Sequence, residues 1–190
     1  MKFSIVVLTL NSAEFIAPCL ESIAAQSFSD FEVVIQDAFS TDETINLINS
    51  FKIQFPSLKL NVCQFRDSGV YDAMNIALDN SSGEWIYFLG SDDRLFSDKT
   101  LELVSNQLSS NIDVLYGDVL SPHFGGRYNG KFTIEKIFSQ NICHQSLFVH
   151  RSVFKKHGKF NTRFTVAADW DHNLRWFLDS TIEVVMVNPV

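Results

Sequence analysis

Residues 85–93 read W-I-Y-F-L-G-S-D-D, five apolar residues in a row that stop at Gly90, Ser91, Asp92 and Asp93. Gly83 bounds the run before and Gly90 after. Such a run reads as a strand buried on both faces, suited to the middle of a parallel sheet. In open α/β sheets a ligand sits outside the carboxyl ends of the strands. This strand delivers two adjacent carboxylates, Asp92 and Asp93, to that edge, where they suit a divalent cation that in turn holds a diphosphate.

Upstream, the chain alternates strands with helices. Phe3 to Thr9 is a β-branched apolar run, and Phe31 to Gln36 and Leu58 to Gln64 are the next strands. Asn11 with Glu14 resembles a capping box, and Ser40 with Glu43 a clearer one. The first helix carries Ile16, Cys19, Leu20 and Ile23 on one face. Pro18 places its start near Ala17 or kinks it. Ile45, Ile48, Phe51 and Phe55 make the apolar face of a second helix, and Val70 to Leu78 forms a third. Short connections throughout predict an α/β fold with a mostly parallel, doubly wound central sheet flanked by helices. Downstream, helices are expected at Lys99 to Leu108, Ser152 to His157 and Asp169 to Leu178. Strands are expected at Asp113 to Val119, Ser146 to His150 and Ile182 to Val187. Gly125, Gly126 and Gly130 mark a hairpin or irregular excursion from His123 to Lys131. The ending at Pro189–Val190, directly after a strand, is read as a candidate truncation.

The bulk composition excludes several classes. With 190 residues, 46% hydrophobic and 19% charged, the chain suits one globular domain and not a disordered one. A formal charge of −7 argues against a nucleic-acid partner, which calls for a basic face. Cys19, Cys63 and Cys143 are far apart and form no C-x-x-C pair, which fits a reducing, cytoplasmic setting. The apolar start F-S-I-V-V-L-T-L is short, lacks a cleavage pattern and reads as a first strand. No run approaches the roughly 20 apolar residues of a membrane span.

Asp37, Asp67, Asp92 and Asp93 all fall at or just after strand ends, so a parallel sheet gathers them on one edge. Each alone could serve a turn or a helix cap. Gathered, they repel one another unless a cation or a hydrogen-bonding ligand compensates. Mg2+ or Mn2+, shared with phosphate oxygens, would do so. The five histidines make no H-E-x-x-H, and there is no G-x-G-x-x-G after the first strand, no G-K-[ST] and no G-x-S-x-G.

Six stretches carry a resemblance: V-V-L-T-L-N-S in the first strand, D-A-F-S-T-D-E-T (37–44), D-S-G-V-Y-D-A-M-N (67–75), G-E-W-I-Y-F-L-G-S-D-D (83–93), C-H-Q-S-L-F-V (143–149) and A-A-D-W-D-H-N-L-R (167–175). In this order and spacing the chain resembles the family 2 glycosyltransferases of the GT-A fold, of the bacterial type that builds surface polysaccharides. The resemblance implies one catalytic domain, with a nucleotide-binding half at 1–93 and an acceptor and catalytic half at 94–190. It implies an inverting, metal-dependent transfer from a nucleotide-diphospho-sugar, read as a UDP-sugar, to a saccharide or lipid-linked saccharide hydroxyl. Thr9, Asn11 and Glu14 would line the nucleotide pocket, and Asp37 would accept a hydrogen bond from the base. Asp67, Asp72 and Asn75 would lie along the nucleotide and sugar. Asp93 would be the main ligand of Mn2+ or Mg2+, with Asp92 on ribose or metal. Two positions depart from the pattern: Gly90 begins the metal motif where many relatives have Asp, and Phe39 fills a turn position where glycine is frequent.

The reaction needs a carboxylate to take the acceptor proton. Residue type alone leaves Asp169 and Asp171 equal, and Asp169 could instead cap its helix. Two positions apart on a helix do not share a face, so only one should enter the site. The resemblance favours Asp169. His144 and Gln145 suit either sugar contacts or a buried polar pair, and Trp170 and Trp176 either a sugar floor or core packing. Arg151, Lys155, Lys156, His157, Lys159 and Arg163 form a basic cluster, read as a solvated helix face or as a peripheral contact with anionic lipid at the inner face of the membrane. Two competing readings are a sugar nucleotidyltransferase, which calls for a Gly-rich basic loop where T-L-N-S-A-E stands, and a nucleotide-sugar binding module without turnover.

Overall fold

The computed structural model describes residues 1–122, 125–128 and 130–187. His123 and Pro189–Val190 lie outside the described residues. Strands β1 (Phe3–Thr9), β2 (Phe31–Asp37), β3 (Leu60–Gln64) and β4 (Trp85–Gly90) alternate with helices α1 (Ile16–Ala24), α2 (Thr44–Gln54) and α3 (Val70–Asp79). Then follow α4 (Thr100–Gln107), β5 (Val114–Tyr116), β6 (Val119–Ser121), β7 (Gly126–Tyr128) and α5 (Ile134–Ile137). A 3-10 turn (His144–Ser146), β8 (Leu147–His150), α6 (Arg151–His157), α7 (Ala168–Phe177) and β9 (Val184–Met186) complete the order.

The seven-stranded sheet runs β3-β2-β1-β4-β8-β5-β9, and β6 and β7 form a separate two-stranded ribbon. The sheet is mostly parallel, as expected, except that β8 runs antiparallel to both β4 and β5. Period-two side-chain alternation divides the core into two layers. Phe3, Ile5 and Val7, with Trp85, Tyr87 and Leu89, pack with Ile16, Leu20 and Leu101 on one face. Val6, Ile86 and Phe88 pack with Met74, Val153 and Trp176 on the other. Trp176 is therefore core. The run in β4 is buried on both faces, but it stands where the parallel half meets β8, not in the middle of a wholly parallel sheet.

The expected strand 113–119 divides in two. Tyr116 pairs with Leu147, where β8 begins, and beyond it only the Gly117 N–H reaches the 3-10 turn, donating to the Ser146 carbonyl at 3.2 Å. The chain leaves the sheet and re-enters as the ribbon. Both expected capping boxes are corrected. Phe15 and Glu43 occupy the N-cap positions of α1 and α2, and neither caps through its side chain. The α2 N-terminus is instead served by Asp42, whose Oδ1 accepts from the Thr44 N–H at 3.0 Å. Asn11 and Ser40 are used at the sheet edge. Pro18 lies in the first turn of α1, where its missing N–H costs nothing.

Candidate active site

The carboxyl ends of β1, β2 and β4 are adjacent, with Thr9 level with Asp37 and Leu8 level with Gly90. Asp37 is wholly buried there. Its Oδ1 accepts from Thr9 Oγ1 at 3.0 Å and from the Ser40 hydroxyl, and its Oδ2 accepts from the Ser40 N–H at 3.0 Å and Gln64 Nε2 at 3.1 Å. Burial pushes this carboxyl up, but the bonds from Ser40, Gln64 and Thr9 prevail and hold it below the ordinary carboxylate range. A carboxylate has about four acceptor positions, and all are taken. A base contact at Asp37 requires the exposed Gln64 to give up its place. Asn11 adopts a left-handed backbone, φ 52°, tolerable for Asn. Its N–H donates to Ser40 Oγ at 2.9 Å and its Oδ1 accepts from the Thr41 N–H at 2.9 Å, tying the two loops together. Phe39 is also left-handed, φ 62°, at the turn where glycine is frequent.

Gly90 leaves open the space that the acidic pair occupies. A Cβ at this position would meet Asp93 Oδ2 at 2.5 Å and Asp92 Oδ1 at 2.8 Å. The two carboxylates fold back over the bare Cα and converge there. Among the described residues no three acidic, His or Cys groups form a metal cluster. Two carboxylates still fit Mg2+ or Mn2+, because such ions are held by one or two carboxylates plus substrate phosphates and not by an all-protein cage. Asp92 is exposed and Asp93 half-buried. Asp93 Oδ2 also accepts from Gln145 Nε2 at 3.0 Å.

Asp169 is not the cap of α7, because Ala167, left-handed at φ 66°, holds that position. Asp169 instead points inward from the first turn at 8% exposure. Tyr71 OH donates to its Oδ1 at 2.7 Å and Asn141 Nδ2 to its Oδ2 at 2.7 Å. His144 Nδ1 lies 3.7 Å from Oδ2. Burial raises this carboxyl, but His144 and Tyr71 more than offset it, and it stays below its ordinary range. Tyr71, pushed up to about 12 by burial and then by Asp169, remains a donor at neutral pH. Asp171 faces away and pairs with Arg175 at 3.0 Å.

The other expected residues divide. Of the two roles open to His144 and Gln145, the structure shows polar contacts within the protein, His144 Nδ1 3.7 Å from Asp169 Oδ2 and Gln145 Nε2 donating to Asp93 Oδ2 at 3.0 Å. Asp67 accepts from the Gly69 N–H at 3.2 Å, and Asp72 from the Ser68 N–H and Oγ, both at 2.9 Å. These bonds shape the turn into α3. The Asn75 amide closes on the backbone of Phe160, with Nδ2 donating to its carbonyl at 2.9 Å and Oδ1 accepting from its N–H at 3.0 Å, which ties α3 to the segment after α6. Glu14 is exposed, and Trp170 Nε1 donates to the Ile137 carbonyl at 2.7 Å. A cavity of about 240 Å3 is lined by Asp93 and Gln145 and walled by Tyr87, Leu89, Leu95, Phe96 and Phe148.

Most of the basic cluster is already engaged. Lys156 and His157 reach Asp179, Lys159 reaches Asp79, and Arg151 donates to the Gly83 carbonyl and Ser81 Oγ. No helix among the described residues is long and apolar enough to cross a membrane. Sequence reasoning missed Tyr71 and Asn141. Tyr71 lies inside the quoted stretch 67–75, but Asn141 precedes the C-H-Q stretch and carries no local signal.

Residues 4–175 match the family model described as Glycosyl transferase family 2. The chain is 42% identical over 180 residues to a "PGL/p-HBAD biosynthesis glycosyltransferase" of Mycobacterium bovis, covering 92% of this chain and 69% of that protein. It is 31% identical over 156 residues to the poly(ribitol-phosphate) beta-N-acetylglucosaminyltransferase TarS of Staphylococcus aureus, covering 81% of this chain and 26% of TarS. The crystal structure of TarS 1–349 in complex with UDP superposes with a TM-score of 0.76 at 25% identity, over 99% of this chain and 60% of that one. The chain thus spans about two thirds of the mycobacterial relative and less of the others.

Proposed function

The chain belongs to glycosyl transferase family 2, and from that premise we propose that it moves a sugar from a nucleotide-diphospho-sugar to an acceptor hydroxyl with inversion. The observation that carries this reading is the pair of carboxylates converging over Gly90 at the ligand-binding edge of the sheet. A UDP-sugar is the proposed donor, supported by the UDP complex of the related TarS fragment. A saccharide or lipid-linked saccharide of a surface glycan is the proposed acceptor, in keeping with the names of the relatives.

Asp93, with Asp92, would hold Mn2+ or Mg2+, which when bound supplies positive charge against the leaving diphosphate. Thr9, Asn11 and Asp37 shape the nucleotide end of the edge. Asp169, ionised at neutral pH, accepts the proton of the acceptor hydroxyl as its oxygen attacks the anomeric carbon. The bond to the diphosphate breaks as the new bond forms, its electron pair passing to the departing phosphate oxygen. One base on the face opposite the leaving group suffices for inversion. Lys155 and Arg163, exposed beside α6 and α7, are the part of the basic cluster left to a peripheral lipid contact.

A panel of nucleotide sugars with and without Mn2+, read by thermal shift and then by hydrolysis, tests the proposal. UDP with metal should stabilise the protein, and Asp93→Ala should lose that response. Indifference to every nucleotide would overturn the reading.

A further inference from the structure

We propose that the segment Asn141–Gln145 is a positioning element that holds both reaction carboxylates, Asp93 through Gln145 and Asp169 through Asn141. This inference rests on the roles given above to Asp93 and Asp169. Five consecutive residues reach two carboxylates that belong to different elements. Gln145 Nε2 donates to Asp93 Oδ2 at 3.0 Å, and Asn141 Nδ2 donates to Asp169 Oδ2 at 2.7 Å.

Neither amide is free to flip. The Cys143 thiol donates to Gln145 Oε1 at 2.8 Å, which leaves Nε2 to face Asp93. Asn173 Nδ2, buried in α7, donates to Asn141 Oδ1 at 2.9 Å, which leaves Nδ2 to face Asp169. The backbone between them is held as well. Tyr87 OH, from inside β4, donates to the Gln145 carbonyl at 2.9 Å. The N–H and Oγ of Ser146 donate to the Cys143 carbonyl at 3.0 and 2.8 Å.

One donor on an oxygen leaves it a second lone pair. Asp93 keeps room for a cation and Asp169 for an incoming proton. A carboxylate that ligates a metal is itself commonly oriented by an outer hydrogen bond, whose loss weakens binding about 10- to 100-fold. Displacement also tolerates little misplacement between acceptor and donor. One pinned segment that holds both groups sets the spacing of the cation site and the base. Asp169 is further faced by Tyr71 from α3 and by His144 from the segment itself. His172, buried one turn along α7, spends its ring on the Gly158 carbonyl at 3.1 Å.

The test uses the full chain and two readouts, neither of which needs the acceptor. Mn2+ affinity is measured by calorimetry with saturating UDP, and the Asp169 carboxyl is titrated by carbon-13 NMR, assigned with Asp169→Asn. Gln145→Asn, too short to reach Asp93, should weaken Mn2+ about 10- to 100-fold and leave the Asp169 titration in place. Asn141→Ser should do the reverse, moving the Asp169 titration to higher pH with Mn2+ affinity unchanged. Cys143→Val should imitate Gln145→Asn, and Cys143→Ser, which keeps a donor, should restore it. Asn173→Ser, which frees the Asn141 amide to turn, should imitate Asn141→Ser. Should Gln145→Asn or Asn141→Ser fail to fold, Cys143→Val and Asn173→Ser read the same two effects. Variants that lower only the melting temperature, or that move both readouts together, would overturn the proposal. If Asp93→Ala itself keeps full Mn2+ affinity, the assignment of Asp93 has failed and not the segment.

Discussion

Asp37, at the end of β2, and Asp169, in the first turn of α7, are both buried and both held below the ordinary carboxylate range, yet they are built differently. The donors to Asp37 come from β1, from its own turn and from the end of β3, and they fill every acceptor position. Asp169 takes one short side-chain bond on each oxygen, from α3 and from the segment before β8, with His144 Nδ1 farther off at 3.7 Å from Oδ2 and the Trp170 N–H also lowering its titration. A saturated carboxylate is a part of the fold, because its charge is spent on the loops that it gathers. An unsaturated one at the same depth retains the capacity to accept a proton.

The comparison can be broken in order of effect. Asp169→Asn should lower transfer by on the order of 10^2 to 10^4 while UDP binding holds, checked by product formation beside calorimetry. Near-normal turnover would make Asp169 a second Asp37. Asp37→Ala should act on the fold, costing about 3 kcal/mol because the buried Thr9 hydroxyl and the half-buried Ser40 N–H and hydroxyl lose their acceptor. Urea denaturation measures this, and an unchanged midpoint would remove the distinction. Gly90→Ala should force the Asp92 and Asp93 carboxylates apart and weaken Mn2+ about tenfold, a change of roughly 1.4 kcal/mol, with the melting temperature little moved. Ala167→Gly relieves a left-handed alanine ahead of Asp169 and should stabilise the protein by about 0.5 kcal/mol, the strain being partly offset by glycine's entropy. A loss of stability there would mean that the turn is held by more than backbone preference.

How much of this was legible in the chain differs between the same two regions. The first half reads well: β4 is buried on both faces as its apolar run requires, and Asp37 after β2 and Asp92 and Asp93 after β4 reach one edge because parallel strands end together, although among the described residues no three acidic groups cluster there. Gly90, read as a departure from the metal motif, has the ends of the Asp92 and Asp93 side chains folded back over it. That arrangement is one that spacing along the chain cannot express. The second half reads less well. Strand β8 looks like any other apolar strand, and its reversed direction is set by where the chain returns, not by its composition.

The sequence by itself determined the alternation of strands and helices, the burial of β4 and the delivery of acidic residues to one edge. These follow from local periodicity and the length of apolar runs. Only the tertiary structure decided which carboxylates are saturated, which of Asp169 and Asp171 turns inward, and that Asn141 and Gln145 serve two of them from one segment. Such facts depend on donors brought together from residues as far apart as Tyr71 and Asp169, a separation of 98 positions. The direction of a side chain at that range is fixed by packing against partners that no local stretch contains.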